Sequence, residues 1–172
     1  LAFDNRDNIQ NPTKGIYIGS NVETAGGPWG GDKNFVKTTT TAKHYIPFFK
    51  VTVLELRLMA GIANSFGDST EVPIYERYFA GGADTIRGYN ERKIGPIDAV
   101  TKDPIGGESL LVFNIEYNYA LVDFIKLATF FDIGNVWRRV GDFGTSGLKS
   151  GIGVGVRITT PMGPIKLDYG FP

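Results

Sequence analysis

One stretch of this sequence places an arginine where ion-pair chemistry is expected. In "GGADTIRGYNERKIGP", residues 81–96, the arginine is closely flanked by glycine and tyrosine. Glycine lets a backbone turn sharply and approach a neighbour closely, and a planar guanidinium pairs bidentately with a carboxylate. The stretch therefore predicts a loop that folds back onto a wall of the protein and docks its arginine there. The residues that define this motif are Gly81, Gly82, Arg87, Gly88 and Tyr89.

Two carboxylates are candidate partners for this arginine. Glu116 and Asp132 occupy even-numbered positions in two successive predicted strands, which are joined by a short turn at residues 121–124. Because side chains alternate between the two faces of a strand, both carboxylates should lie on the same face of a sheet. Position parity alone leaves other pairings open, since the interior of a barrel holds many solvated charges.

The other reactive residue types predict no enzyme, no metal site and no bound cofactor. His44 is the only histidine and cysteine is absent, so no thiolate ligand set or cysteine nucleophile exists. No G-x-S-x-G signature accompanies the histidine. The glycines of "GIGVGVR" (151–157) recur every two residues rather than as G-x-G-x-x-G, which favours a strand with a small inner face. Asp4 and Asp7 lie in a sequence typical of turns.

Composition excludes further classes of protein. The chain has 18 basic and 18 acidic residues, a formal net charge of zero, so no nucleic-acid partner is indicated. No apolar run approaches the ~18 residues of a membrane helix. The chain opens at Leu1 without a leader pattern, so we expect its natural N-terminus to lie upstream.

Most of the chain alternates apolar and polar residues with a period of two. Residues 51–63 illustrate this, because their even positions are mainly apolar whereas Glu55 and Arg57 lie on the opposite face. The pattern predicts an all-β protein of about seven antiparallel strands and no helix of comparable strength. The predicted strands are 15–23, 34–46, 51–63, 109–120, 125–137, 148–159 and 165–171, with a short additional strand at 1–4.

The connections alternate between short and long, and residues 64–108 form the longest one. Up-and-down outer-membrane barrels have this asymmetry, with tight periplasmic turns and long extracellular loops. Aromatic residues cluster near the short turns, as they do at membrane interfaces. A soluble sandwich or lipocalin-like barrel also alternates, but with its apolar face inward. Two features favour the membrane barrel. The apolar faces are long, close to the ~9–11 residues of a spanning strand. The opposite faces are rich in glycine and charged residues.

This arrangement assigns side chains to lipid or to the interior. The set predicted to face lipid is Leu54, Leu56, Leu58, Phe113, Ile115, Val154, Val156 and Leu167. The set predicted to face inward is Arg57, Glu116, Asp132, Arg157 and Lys166.

Several motifs, in order, resemble the barrel of BamA-type outer-membrane assembly factors, which are related to two-partner secretion pores and to organelle outer-membrane proteins. The resemblance covers nearly the whole chain. The motifs are "RDNIQNPTKG", "GGADTIRGY" followed by "IGP", "GGESLLVFNIEYNY", "FFDIGNVW" and "GIGVGVRITTPMGPIKLDYGFP".

The resemblance implies a role for the motif residues. In the family, a long extracellular loop folds into the barrel, and the arginine of its R-G-F/Y tip contacts acidic wall residues that match Glu116 and Asp132. This chain has Tyr89 where many members have phenylalanine. The tip then acts as a strut, a loop segment held against the inner wall.

The resemblance also implies a function. The parent protein is expected to assemble and insert unfolded β-barrel clients into the outer membrane, without hydrolysis or cofactor. Its expected partners are the lipid bilayer, those clients and accessory lipoproteins. A two-partner secretion pore would share the barrel and loop motifs, and a passive porin would not need the strut.

Residues 1–172 are expected to be the C-terminal part of such a barrel domain. The POTRA domains, the first barrel strands and the closing strand are expected to lie outside this sequence. We therefore expect an open, curved, up-and-down sheet with the long loop against its inner side.

Overall fold

A computed structural model of the chain describes residues 1–30 and 32–172. Within these residues the chain forms one antiparallel sheet of eight strands, ordered β1 to β8 as in the sequence. This confirms the predicted all-β, up-and-down architecture. The strands are β1 (Ala2–Asp4), β2 (Gly15–Ala25), β3 (Phe35–Phe49), β4 (Thr52–Ser65), β5 (Ser109–Val122), β6 (Ile125–Trp137), β7 (Lys149–Thr160) and β8 (Gly163–Phe171).

The predicted strands are all present, but several run further than expected. The predicted short turn at 47–50 is mostly strand, because β3 continues through Pro47 to Phe49 with a register shift between these residues. The turn predicted at 121–124 likewise shrinks, because β5 extends to Val122 with its own register shift. In both places a bulge lets the strand twist into a tighter turn. The short additional strand predicted at 1–4 is present as β1 and pairs with β2, which brings the total to eight strands. Gly31, in the predicted connection 24–33, lies outside the described residues.

The two faces of the sheet have opposite chemistry. We call the face that packs against the long loop the inner face, and the opposite one the outer face. Leu58, Val154 and Leu167 on the outer face are 43%, 55% and 60% exposed, as expected for side chains that meet lipid. Cross-strand partners carry the rest of the predicted lipid-facing set onto the same face, for example Leu58 beside Phe113. The predicted inward set lies on the inner face.

The long connection between β4 and β5 folds onto the inner face and builds the only sizeable apolar core found among the described residues. Within it Tyr78 pairs with Gly107, and further bridges join Ala80 to Ile94 and Ile97 to Pro104. The loop therefore forms a compact unit that packs on the sheet and does not extend freely from it. The core cluster between loop and sheet consists of Phe35, Ala63, Val72, Tyr78, Ala80, Ile86, Ile94, Leu110, Val112 and Val136.

Helical structure is limited to short 3-10 turns, at Gly27–Trp29, Ile74–Glu76 and Val140–Asp142 in the described part of the chain. Across residues 1–30 and 32–172 no helix has the length and apolar character needed to cross a bilayer.

The outer face predicts a position-specific response to charge. Leu58→Arg in the full-length protein should lower the free energy of unfolding in lipid vesicles by roughly 2–4 kcal/mol, since the guanidinium would face acyl chains near mid-strand. Urea unfolding of the protein in vesicles measures this. Thr41→Arg, on the inner face of β3, is the matched control and should have a much smaller effect. Equal effects at the two positions would contradict the assignment of the faces.

Candidate functional site

The tip of the long loop places Arg87 against two inner-face carboxylates. The Nε and Nη2 atoms of Arg87 donate to the two carboxylate oxygens of Asp132, each at 2.7 Å. Its Nη1 atom donates to Oε2 of Glu116 at 2.7 Å. The backbone N–H of Arg87 also donates to Asp132, at 3.0 Å. A single guanidinium therefore uses both edges of its planar fork, an arrangement that a lysine ammonium cannot reproduce.

A second arginine shares Glu116 with Arg87 and adds a third acid. Arg157 on β7 donates through Nε and Nη2 to both oxygens of Glu116, at 2.9 and 2.7 Å. Its Nη1 atom donates to Asp168 on β8 at 2.6 Å, and the same carboxylate lies 3.4 Å from Nη1 of Arg87. We call Arg87, Arg157, Glu116, Asp132 and Asp168 the arginine cluster. Its two cations and three anions give it a formal net charge of −1.

Neutral groups complete the surroundings of Arg87. Its guanidinium carbon lies 3.5 Å from the ring centroid of Phe130, a close cation–π contact. The amide nitrogen of Asn114 donates to Asp132 at 2.8 Å and to the loop carbonyl of Thr85 at 2.7 Å. The wall thus holds the arginine by charge, by an aromatic face and by a bridge to its own loop.

The arginine cluster is buried, which makes its pairing obligatory. The side chains of Arg87, Glu116 and Asp132 are 10%, 8% and 0% exposed. Burial alone would lower the pKa of Arg87, but its hydrogen bonds to Asp132 and Glu116 raise it overall, so the guanidinium stays charged. Removing one member of a buried pair leaves the other uncompensated, and this is far more destabilising than losing an exposed pair.

Glycines on the wall give the loop tip its space. A Cβ atom on Gly151 of β7 would collide with the carbonyl oxygen of Arg87. A Cβ on Gly170 of β8 would lie 2.8 Å from the backbone nitrogen of Gly88. Gly88 itself has φ +93° and approaches the backbone of Phe171 too closely for a side chain. The small inner face predicted for "GIGVGVR" is therefore a trough, formed by β7 and β8, that receives the loop backbone.

The remaining predicted motif residues lie at the edges of this contact. Gly81 and Gly82 are buried, with φ angles of +99° and +97°, and form the bend that leads into the tip. The amide of Gly81 donates to the hydroxyl of Thr85 at 2.9 Å, which closes the bend. Tyr89 is half-buried and packs against the core cluster.

Sequence reasoning missed Asp168, Phe130 and Asn114 as contacts of the loop tip, and it placed Arg157 inward without assigning it a partner. Their positions carried a usable signal. All four have the parity of the inner face in adjacent strands, and Asn114 directly faces Asp132 across the β5–β6 pair. The sequence does not show at which level along the strands the loop tip meets the wall. Parity alone therefore does not distinguish these four residues from the other inward side chains.

An up-and-down antiparallel sheet with an apolar outer face, a charged inner face and an in-folded loop defines the wall of a membrane β-barrel. Residues 1–172 match the Omp85 superfamily domain, and the chain belongs to that family. It is 37% identical over 174 residues to the outer membrane protein assembly factor BamA of Nitratidesulfovibrio vulgaris, covering 98% of this chain and 22% of that protein. It is 27% identical over 183 residues to a SAM50-like protein of Drosophila melanogaster, covering 100% of this chain and 39% of that protein.

The fold has a counterpart among solved structures. The crystal structure of BamA from Haemophilus ducreyi lacking POTRA domains 1–3 superposes with a TM-score of 0.87 at 24% identity, over 99% of this chain and 37% of that one. The chain thus spans between about a fifth and two fifths of the length of these relatives. Family membership and fold together identify it as part of an integral β-barrel protein of the outer membrane.

The arginine cluster predicts strong coupling between its members. In the full-length protein, Arg87→Ala leaves Asp132 buried with only neutral donors, so the variant should lose about 3–5 kcal/mol of stability. Asp132→Ala should lose a similar amount, and the double variant should lose less than the sum. Urea unfolding in lipid vesicles gives all three values. Lys93→Ala, an exposed position in the same loop, is the control, and additive effects in the cycle would contradict the pairing.

The glycine trough makes a separate prediction. Gly88→Ala adds a methyl group where φ is positive and the backbone of Phe171 is already in contact, so the tip should leave the trough although every charged residue is retained. Trypsin should then cut faster near Arg92 and Lys93. Gly144→Ala, with open surroundings, should leave the cleavage rate unchanged, and the idea fails if both variants behave alike.

Proposed function

We propose that the protein to which this chain belongs assembles and inserts β-barrel proteins into the outer membrane, without a cofactor and without hydrolysis. The observation that carries the proposal is the similarity, over 98–100% of the chain, to both a bacterial assembly factor and a SAM50-like protein. The sequence similarity extends over the strands and the loop in relatives from bacteria and an animal, so the activity proposed is the one for which the bacterial relative is named.

Within this function, the Arg87–Gly88–Tyr89 segment acts as a strut on the inner wall. The arginine cluster links the loop between β4 and β5 to side chains on β5, β6, β7 and β8. Four strands are thereby fixed relative to one loop. A barrel that receives client strands has to keep most of its wall fixed while one part yields, and the strut supplies that fixed part.

The proposed partners follow from the surfaces. Lipid meets the outer face, and unfolded clients join by adding a strand to an exposed sheet edge, since unpaired backbone groups are a template for pairing. Accessory lipoproteins are proposed for the complete protein.

A two-partner secretion pore is the second candidate, because it would use the same barrel and in-folded loop. The two functions differ in their product. An assembly factor leaves a folded client in the bilayer, whereas a secretion pore releases its client on the far side.

The test is reconstitution of the full-length protein in liposomes with a urea-unfolded barrel client. Assembly predicts that the client becomes protease-resistant and stays with the membrane, and that Arg87→Ala reduces the yield severalfold while Lys93→Ala does not. A client recovered inside the liposome lumen would favour the secretion pore. Large, steady ion conductance without client folding would favour a passive porin and overturn the proposal.

A further inference from the structure

A second contact between the loop and the inner face lies well away from the arginine cluster. Tyr78, at the base of the loop, is buried with 7% of its surface exposed. Its hydroxyl donates to the backbone carbonyl of Thr38 at 2.9 Å and lies 3.0 Å from the hydroxyl of Thr39. Both partners belong to β3, a strand that contributes nothing to the arginine cluster. A buried phenol normally finds such partners because leaving its hydroxyl unpaired is costly.

The ring of Tyr78 occupies a socket made by a missing side chain. Gly61 on β4 is the cross-strand partner of Thr39. A Cβ atom on Gly61 would lie 2.5 to 2.9 Å from three atoms of the Tyr78 ring and hydroxyl. Since Gly61 does not have a positive φ, backbone conformation does not demand a glycine there. The close approach of the Tyr78 ring is what requires a glycine at this position.

The base of the loop is fixed on its other sides as well. Lys37 places its ammonium 5.4 Å from the ring centroid of Tyr78 and 3.3 Å from the carboxylate of Glu76. The backbone of Tyr78 exchanges two hydrogen bonds with Gly107, at 2.8 and 3.0 Å, just before β5 begins. The aromatic ring is therefore directed at β3 and β4 by the strand pairing of the loop itself.

We propose that the Tyr78 side chain, seated over Gly61, is a second anchor that positions the loop independently of Arg87. The two anchors divide the inner face, because Tyr78 holds β3 and β4 while Arg87 holds the strands from β5 to β8. They also differ in chemistry, one being a neutral aromatic contact and the other ionic. The inference extends the proposed strut, but it stands on contacts that involve no member of the arginine cluster.

The segment between the anchors allows one to release without the other. Gly81 and Gly82 separate Tyr78 from the tip, and both have positive φ angles, a conformation that glycine enters and leaves more readily than other residues. In this proposal, residues 83–89 swing about this pair while Tyr78 stays in its socket, and the swing gives up the core packing of Ile86 and the bond from Arg57 to the carbonyl of Asp84. In this arrangement the base of the loop stays bound to the sheet while the tip can detach.

Hydrogen exchange of the full-length protein in lipid nanodiscs tests this segment by segment. Arg87→Ala should speed exchange in residues 83–89 and leave residues 76–80 protected. Tyr78→Phe, which keeps the ring but loses the hydroxyl bonds, should speed exchange in residues 76–80 roughly tenfold. Gly61→Ala, which fills the socket, should do the same or more. Tyr75→Phe, a 76% exposed neighbour, is the matched control and should change neither segment.

The outcomes separate this inference from the proposed function, because exchange is read without any client. If Arg87→Ala releases both segments together, the loop has a single anchor and the proposal is wrong. If Tyr78→Phe behaves like Tyr75→Phe, the hydroxyl contacts with β3 do not hold the base, and the proposal is equally overturned. Tyr78→Phe is conservative enough to fold, so the test does not depend on the survival of Gly61→Ala.

Discussion

The inner face of this sheet depends on the pairing of buried charge. Asp132 is fully enclosed by the wall and the loop, and a carboxylate removed from water is tolerated only with a cation and further hydrogen bonds. Arg87 supplies the cation from a segment 45 residues away. The other features of the site follow from this requirement. Arg157 balances the second carboxylate, Phe130 covers the guanidinium, and bare backbone on β7 and β8 lets the tip come close enough.

The outer face obeys a simpler constraint, because it meets only lipid. Any apolar side chain of suitable size satisfies it, and between neighbouring strands the backbone polar groups are paired, as a membrane requires. This explains why leucine, valine, isoleucine and phenylalanine alternate there without a specific packing pattern. Specificity in this protein resides inside the wall, where polar groups have particular partners.

Much of the fold was predictable from the sequence because a period of two has only one structural meaning over ten or more residues. The strands and the separation of Leu58 and Arg57 onto opposite faces follow from it, while the short and long connections indicated the up-and-down order and the apolar face outward. The strand ends at Phe49 and Val122 did not follow from the alternation, since bulges carry no sequence signature as clear as alternation. Glu116 and Asp132 were selected by parity together with family resemblance. Asp168 and Tyr78 were not selected, because their contacts depend on how deeply the loop is inserted. That depth is set by the packing of the loop on the whole sheet and cannot be read from the sequence of one strand.

The sequence distances inside the arginine cluster have a consequence for the order of folding. Arg87 meets partners that lie 29, 45 and 81 residues further along the chain. Closing loops of such lengths is entropically unfavourable until the intervening hairpins have formed. The three carboxylates reach a common height only when β5, β6, β7 and β8 are all in register. Docking of the arginine is therefore a late event. A slip of one residue in any of these strands would turn an acid, or Arg157 on β7, outward and leave the guanidinium without a complete site. Docking of the loop thus distinguishes a sheet with the correct strand register from one in which a strand has slipped.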